Sequence, residues 1–199
     1  MVKKIGILAL QGNFQNHKLI LDHLGVESTY VRYSSNLDHI NGLIIPGGES
    51  TTMTKLIDKA GLYESIVSFA AKNPILGTCA GLIMMADNAM DDRVNTLKLL
   101  DIDVERNASG RQIHSLVDTL TINYNDVQKK IDVTFIRAPK IVRYGNNVNI
   151  IAKYKGEPCA VQSGMHVGLS FHPELNGISI FHKIAFNNII NNRQELHAA

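Results

Sequence analysis

A doubly wound α/β fold, with a mostly parallel or mixed sheet and helices on both faces, is predicted by three features of this 199-residue chain. Short apolar runs alternate with segments of helical periodicity through the first half. Two of the runs end at glycine turns, Gly47-Gly48 and Gly77-Thr78-Cys79-Ala80-Gly81, that lead directly into helical segments. The length suits one such domain with a full core. Sheets of this kind hold ligands beyond the carboxyl ends of their strands, where both glycine turns fall.

Residues 5–10 (Ile-Gly-Ile-Leu-Ala-Leu) read as a buried first strand, and Phe14, Ile20, Leu21 and Leu24 form a helical stripe that stops at Gly25. Residues 26–33 and 42–45 are the second and third strands. After the Gly47-Gly48 turn a helix is expected to begin with Ser50 as its N-cap, because a hydroxyl there can accept from the first free N–H groups. Helical stretches at 51–59 and 62–71 follow, until Asn73-Pro74 breaks the pattern. Residues 74–77 lead as a strand to Cys79, and 80–86 leave it as a helix. Shorter strand candidates at 102–105, 120–122, 133–136, 148–153, 159–162 and 167–171 are expected to close the sheet. A last helix carries Phe181, Ala185 and Ile189 on one stripe. With no repeat or linker in sight, residues 1–199 read as a single domain.

Composition narrows the function. A net charge of +2 with scattered basic residues argues against nucleic-acid or polybasic membrane partners. Two distant cysteines, Cys79 and Cys159, form no Cys-x-x-Cys or Cys/His cluster, so no metal site is expected. The start Lys3-Lys4 followed by a short strand-like run is not a signal peptide, and no stretch has the apolar length of a membrane span. The cytoplasm is the expected compartment.

Cys79 stands in Gly-x-Cys-x-Gly between a strand and a helix, the cysteine counterpart of a nucleophile elbow. A helix N-terminus beside the sulfur favours the thiolate. About 90 residues on, Ser170-Phe171-His172-Pro173-Glu174 supplies a base and a carboxylate to orient it. In an extended segment, residues two apart project to one side, so His172 and Glu174 are expected to face a common neighbour. Gly48 can bring an N–H close to a developing oxyanion, and so can Ala80, the residue after the elbow nucleophile. A phosphate-loop reading of Pro46-Gly47-Gly48 fails, since the Gly-x-x-x-x-Gly-Lys-Ser/Thr spacing is absent. Most of the remaining histidines, His17 and His182 among them, read as ordinary surface positions.

These pieces together resemble the class I (triad) glutamine amidotransferases, and within them the glutaminase subunits of pyridoxal 5′-phosphate synthase. The resemblance rests on Ala9-Leu10-Gln11-Gly12 with His17, Pro46-Gly47-Gly48-Glu49-Ser50-Thr51-Thr52, Gly77-Thr78-Cys79-Ala80-Gly81, Glu105-Arg106-Asn107 with Gly110-Arg111-Gln112, Phe135-Ile136-Arg137-Ala138-Pro139, and Ser170-Phe171-His172-Pro173-Glu174-Leu175. The chain departs from the family pattern at Ala108, Ser109 and His114 and after Leu175, leaving the catalytic positions untouched. The resemblance implies a flavodoxin-like sheet and hydrolysis of L-glutamine by Cys79, His172 and Glu174, with no cofactor. It further implies a glutamine pocket of Gly48, Glu49, Ser50, Arg106, Ile136 and Arg137. An arginine suits the substrate carboxylate and Glu49 its positive end. It also implies delivery of ammonia to a barrel-shaped synthase subunit, with Gln11 at the partner contact. The alternatives are a glutaminase serving a different ammonia-using synthase, a related cysteine hydrolase or peptidase, and a silent regulatory subunit. The last would be expected to lack one of Cys79, His172 and Glu174.

Overall fold

The computed structural model describes residues 3–106, 115–124 and 127–190. Asn107, Ala108, Ser109, Gly110, Arg111, Gln112 and His114 lie outside the described residues. The sheet's interior is set by strands with no polar face. Every residue of β3 (Gly42–Ile45) and β4 (Ile75–Thr78) is buried, and β1 (Lys4–Leu8) is buried from its second residue on. Such strands can persist only with both faces covered.

They pair in parallel, β4 with β3, β3 with β1, and β1 with β2 (Glu27–Val31). On the other side β4 pairs in parallel with β12 (His166–Leu169). Two antiparallel strands then complete the sheet, β11 (Glu157–Ser163) against β12 and β10 (Asn149–Tyr154) against β11. The resulting order is β10-β11-β12-β4-β3-β1-β2. Successive side chains point to opposite faces, so Leu43 and Ile45 join one core and Ile44 the other. Helices α2 (Ser50–Lys59), α3 (Tyr63–Ala70) and α4 (Ala80–Met85) cover the first face, through Met53, Ile57, Ile66 and Leu82. Helices α1 (Phe14–His23) and α5 (Ile180–Ala185) cover the second, through Leu21 and Phe181. The helix α5 ends before Ile189, but Phe181, Ala185 and Ile189 are all buried as the stripe required.

The candidates at 102–105, 120–122 and 133–136 do not close this sheet. The strand β6 (Leu100–Glu105) lies between β5 (Ala86–Asn88) and β9 (Lys140–Tyr144) in a separate sheet. Its residues alternate between buried and exposed or half-buried, the pattern of a strand with one solvated face. Strands β7 (Leu116–Tyr124) and β8 (Val127–Phe135) pair with each other as a long antiparallel ribbon. Leu120, Ile122, Val133 and Phe135 on its inner side pack into the second core. Among the described residues no helix is long and apolar enough to cross a membrane.

Candidate active site

The parallel pairing of β4 with β12 brings the two halves of the site together. Thr78 is in register with Leu169, and the Cys79 N–H donates to the Leu169 carbonyl at 2.8 Å. The chain then reverses at Cys79, whose φ of 50° and ψ of −103° are unusual for a residue with a side chain. Such a conformation costs about 1–3 kcal/mol and persists where its surroundings impose it. Here the imposing element is α4, which starts at the next residue against β3. A Cβ on Gly81 would stand 2.0 Å from the Ile45 carbonyl oxygen. The glycine of the motif therefore admits the helix, and the helix presents the sulfur.

The ribbon strand β8 positions the histidine. The His172 N–H donates to the Thr134 carbonyl at 2.8 Å, and Phe135 and Phe171 meet edge to face below it. The extended geometry expected for His172-Pro173-Glu174 is not what joins the two side chains. Pro173 opens a 3₁₀ turn, Pro173–Asn176, with Gly177 closing it at a φ of 65°. Proline's fixed φ suits the first position of a helical turn, and that preference prevails over strand continuation. The turn curls Glu174 back so that Oε1 lies 2.7 Å from His172 Nδ1. With Nδ1 engaged, Nε2 is the nitrogen left to serve Cys79, which lines the same cleft. Both His172 and Glu174 are buried. Burial opposes a charged imidazole, but the contacts to Cys79 and Glu174 outweigh it and raise His172 to about 10. The site thus favours an imidazolium between a sulfur and a carboxylate.

The end of β1 presses on the glycine turn. A Cβ on Gly12 would come within 1.7 Å of the Gly47 carbonyl oxygen, and one on Gly47 within 2.2 Å of His172 Cε1. Gln11 donates from Nε2 to the Glu49 carbonyl at 2.6 Å and lies against Gly48. The cap of α2 is Glu49 and not Ser50. Its carboxylate accepts from the Thr51 and Thr52 N–H groups, and Ser50 becomes the first helical residue. A carboxylate answers two free N–H groups and the helix dipole together, which a single hydroxyl cannot. Burial works against this charge, but the hydrogen bonds from Thr51 and Thr52 hold Glu49 at about 2.

Glu49 also meets Arg106, whose Nη2 donates to Oε1 at 2.9 Å while Nη1 donates to Asp91. Among the described residues Arg106 Nε is buried without a hydrogen-bond partner. Over the sulfur passes the loop after β8, where the Ile136 carbonyl stands 3.8 Å from Cys79 Sγ and Arg137 adopts a φ of 45°. These groups enclose a cleft of about 470 Å³ lined by Cys79, His172 and each of Gly48, Glu49, Ser50, Arg106, Ile136 and Arg137. The volume is that of a small-molecule site, ~300–1,000 Å³. A larger hollow of about 550 Å³, among Lys3, Lys72, Pro74 and Met165, sits at the opposite ends of the strands and holds none of these residues.

His17 and His182 are not surface residues. Both are fully buried and in contact with each other, behind Glu174. The sequence signal was present in His17, three residues past Phe14 and four before Leu21 on the apolar stripe of α1.

A cysteine at a strand-turn-helix elbow, backed by a histidine and a carboxylate at the end of the adjacent strand, has the layout of a cysteine-nucleophile site on a doubly wound sheet. The chain belongs to the SNO glutamine amidotransferase family, which it matches over residues 7–191. It is 45% identical to the pyridoxal 5′-phosphate synthase subunit PdxT of Oenococcus oeni, over 92% of this chain and 95% of that one. It is 39% identical to the PdxT subunit of Thermosipho africanus, over 92% and 97%. A crystal structure of a glutamine amidotransferase superposes with a TM-score of 0.86 at 34% identity, covering 94% of this chain and 98% of the other. The structure of PurLQS from Thermotoga maritima shares the fold at a TM-score of 0.69 and 19% identity, covering 96% and 99%.

Proposed function

We propose that this chain hydrolyses L-glutamine to L-glutamate and ammonia, and passes the ammonia to a synthase subunit that makes pyridoxal 5′-phosphate. The observation that carries the chemistry is the placement of His172 between Cys79 and Glu174 in the walls of a small cleft. The Cys79 thiolate attacks the side-chain amide carbon, and the N–H groups of Gly48 and Ala80 hold the oxyanion. The imidazolium gives its proton to the departing nitrogen as the C–N bond breaks, which leaves a thioester and free ammonia. His172 then takes a proton from water, whose oxygen attacks the thioester and releases glutamate and the Cys79 thiolate. Glu174 holds the ring in the one orientation that serves both steps.

Arg106 and Arg137 are the proposed partners of the substrate carboxylate, with Glu49, Ser50, Gly48 and Ile136 completing the pocket. The Nε of Arg106 has a donor to spare, in keeping with that role. Its pairing with Glu49 makes the two residues one unit, so glutamine would meet a preassembled pair of opposite charges. Residues 1–199 act as one glutaminase domain in this reading, since a single sheet carries both halves of the site. Both cysteines are free thiols, in keeping with a reducing cytoplasm.

The proposed partner is the barrel-shaped synthase subunit, and control of the site falls to Gln11. Its amide grips the backbone that bears Gly48, so a partner touching the Gln11-Gly12 turn could shift the oxyanion hole directly. Ammonia release from glutamine, measured with and without the cognate synthase, tests the whole reading. Expected are low activity alone, clear stimulation by synthase, and loss of stimulation in Gln11→Ala with Cys79 still reactive. No ammonia from glutamine in either condition overturns the glutaminase reading; full activity without synthase overturns only the gating.

A further inference from the structure

Behind the triad carboxylate the molecule buries two histidines that the chemistry above does not use. His17 on α1 and His182 on α5 come from opposite ends of the sequence, and neither exposes any surface. Burying a polar ring is costly unless its nitrogens find partners. His17 Nδ1 lies 2.9 Å from His182 Nε2. On its other side, His17 Nε2 is 3.3 Å from Thr78 Oγ1 and 3.6 Å from Glu174 Oε2. Thr78 immediately precedes the nucleophile. Glu174 Oε1 is occupied by His172, whereas Oε2 is buried without a hydrogen-bond partner among the described residues.

The protons of this cluster follow from one requirement. A carboxylate oxygen only accepts, so the group that suits it on His17 is an Nε2–H. A neutral ring protonated there has a bare Nδ1, which must accept from His182 Nε2–H. Both rings then share one tautomer, which leaves His182 Nδ1 bare and, among the described residues, without a hydrogen-bond partner, and the His17 proton lies between Thr78 Oγ1 and Glu174 Oε2. At 3.6 Å the reach to Oε2 is electrostatic and not a formed hydrogen bond. Burial keeps both histidines neutral, prevailing on His182 over the backbone of Ile178, and charge on His182 or His172 further opposes one on His17.

We propose that His17, with its tautomer locked by His182, is a positioning residue for catalysis. It directs an N–H at the free oxygen of Glu174 and so keeps the other oxygen on His172, while its contact with Thr78 ties the carboxylate to the strand end that carries Cys79. This rests on the triad reading above and adds to it a buried layer that spans α1, α5 and β4.

Two measurements on the full chain test it. In nitrogen-15 histidine spectra of the wild-type protein, His17 and His182 are expected to be neutral with the proton on Nε2. A proton on Nδ1 of His17 turns a lone pair toward Glu174 and overturns the proposal, whatever any variant does. In glutaminase assays with the cognate synthase present, His17→Phe is expected to lower kcat by about 10- to 100-fold, the scale on which groups supporting a catalytic ligand act. KM for glutamine should not change, and His17→Gln, whose amide can supply an N–H, should recover part of the loss. A folded His17→Phe with wild-type kcat overturns the positioning role. If Cys79→Ala is inactive beside it, the triad stands and only the buried layer is removed.

Discussion

Replacing Gly47 by alanine tests whether the position of His172, beyond its presence, sets the rate. Gly47 is not at a positive φ, so an alanine backbone is acceptable there. Its Cβ, however, would stand 2.2 Å from His172 Cε1 and 2.9 Å from Nδ1. To regain an ordinary contact of 3.4 Å the ring must retreat by about 1.2 Å. The 2.7 Å bond to Glu174 cannot follow, because that carboxylate is itself buried in a closed turn. A misplacement of about 1 Å typically costs ~100-fold in rate, equivalent to ~2.7 kcal/mol in the barrier. Overpacking should also lower stability by ~1–3 kcal/mol. Steady-state glutaminase kinetics with saturating synthase, with thermal denaturation alongside, separate the two effects. Gly61→Ala is the matched control: its φ is 62° but open space surrounds it, so it should lose ~1–2 kcal/mol of stability and no activity. A folded Gly47→Ala with wild-type kcat would show that the ring's location is not what limits the reaction.

Cys79→Ala should cost about 10⁴–10⁶ in kcat, as when the core of a catalytic triad is removed. Cys159→Ala should retain activity, since burial pushes the Cys159 thiol up to about 12 and mass spectrometry should find a glutamine-like electrophile on Cys79 alone. Arg106→Ala and Arg137→Ala should raise KM while Glu174→Gln depresses kcat; wild-type constants in both arginine variants would sink the pocket assignment. Glu49→Ala should lose about 1 kcal/mol of stability with its cap as well as raising KM, which denaturation and kinetics report separately. Acid should destabilise the fold through His17 and His182, because burial lowers both pKa values, His182 to about 3. Below an unfolded pKa of ~6.5 the unfolded chain binds protons that the folded chain refuses. Stability is therefore complete above that value and falls on acidification by up to ~1.4 kcal/mol per pH unit for each ring. His172 acts with the opposite sign: its stabilisation is complete below ~6.5 and is lost as pH rises toward about 10. A thermal midpoint that stays level from about pH 7 to pH 5 would refute the neutral burial of the pair.

What the sequence determined by itself was whatever depends on neighbours along the chain. Gly77 to Gly81 had to be a strand-turn-helix elbow, because the apolar runs on either side and the two glycines leave the backbone no smoother course. The alternation of strands and helices in the first half likewise announced a sheet covered on both sides, and the quoted motifs already carried the family resemblance. Short-range chemistry was harder where two residues competed for one task. Ser50 looked like the cap of α2, but Glu49 could satisfy two N–H groups where a hydroxyl satisfies one. Proline at 173 favoured a turn over the strand that His172 and Glu174 otherwise continue.

Only the tertiary structure decided which distant segments meet. That Thr78 stands beside Leu169 follows from the order of strands in the sheet, a global packing outcome that no window of sequence contains. The same holds for Gln11 at the Glu49 carbonyl, for Arg106 at Glu49, and for the ribbon of β7 and β8 that supports His172 instead of closing the sheet. The burial of His17 with His182 is the clearest instance. Apart, His17 Nδ1 and His182 Nε2 would each be an unsatisfied polar atom in an apolar core, and a helix from the far end of the chain brings them to 2.9 Å.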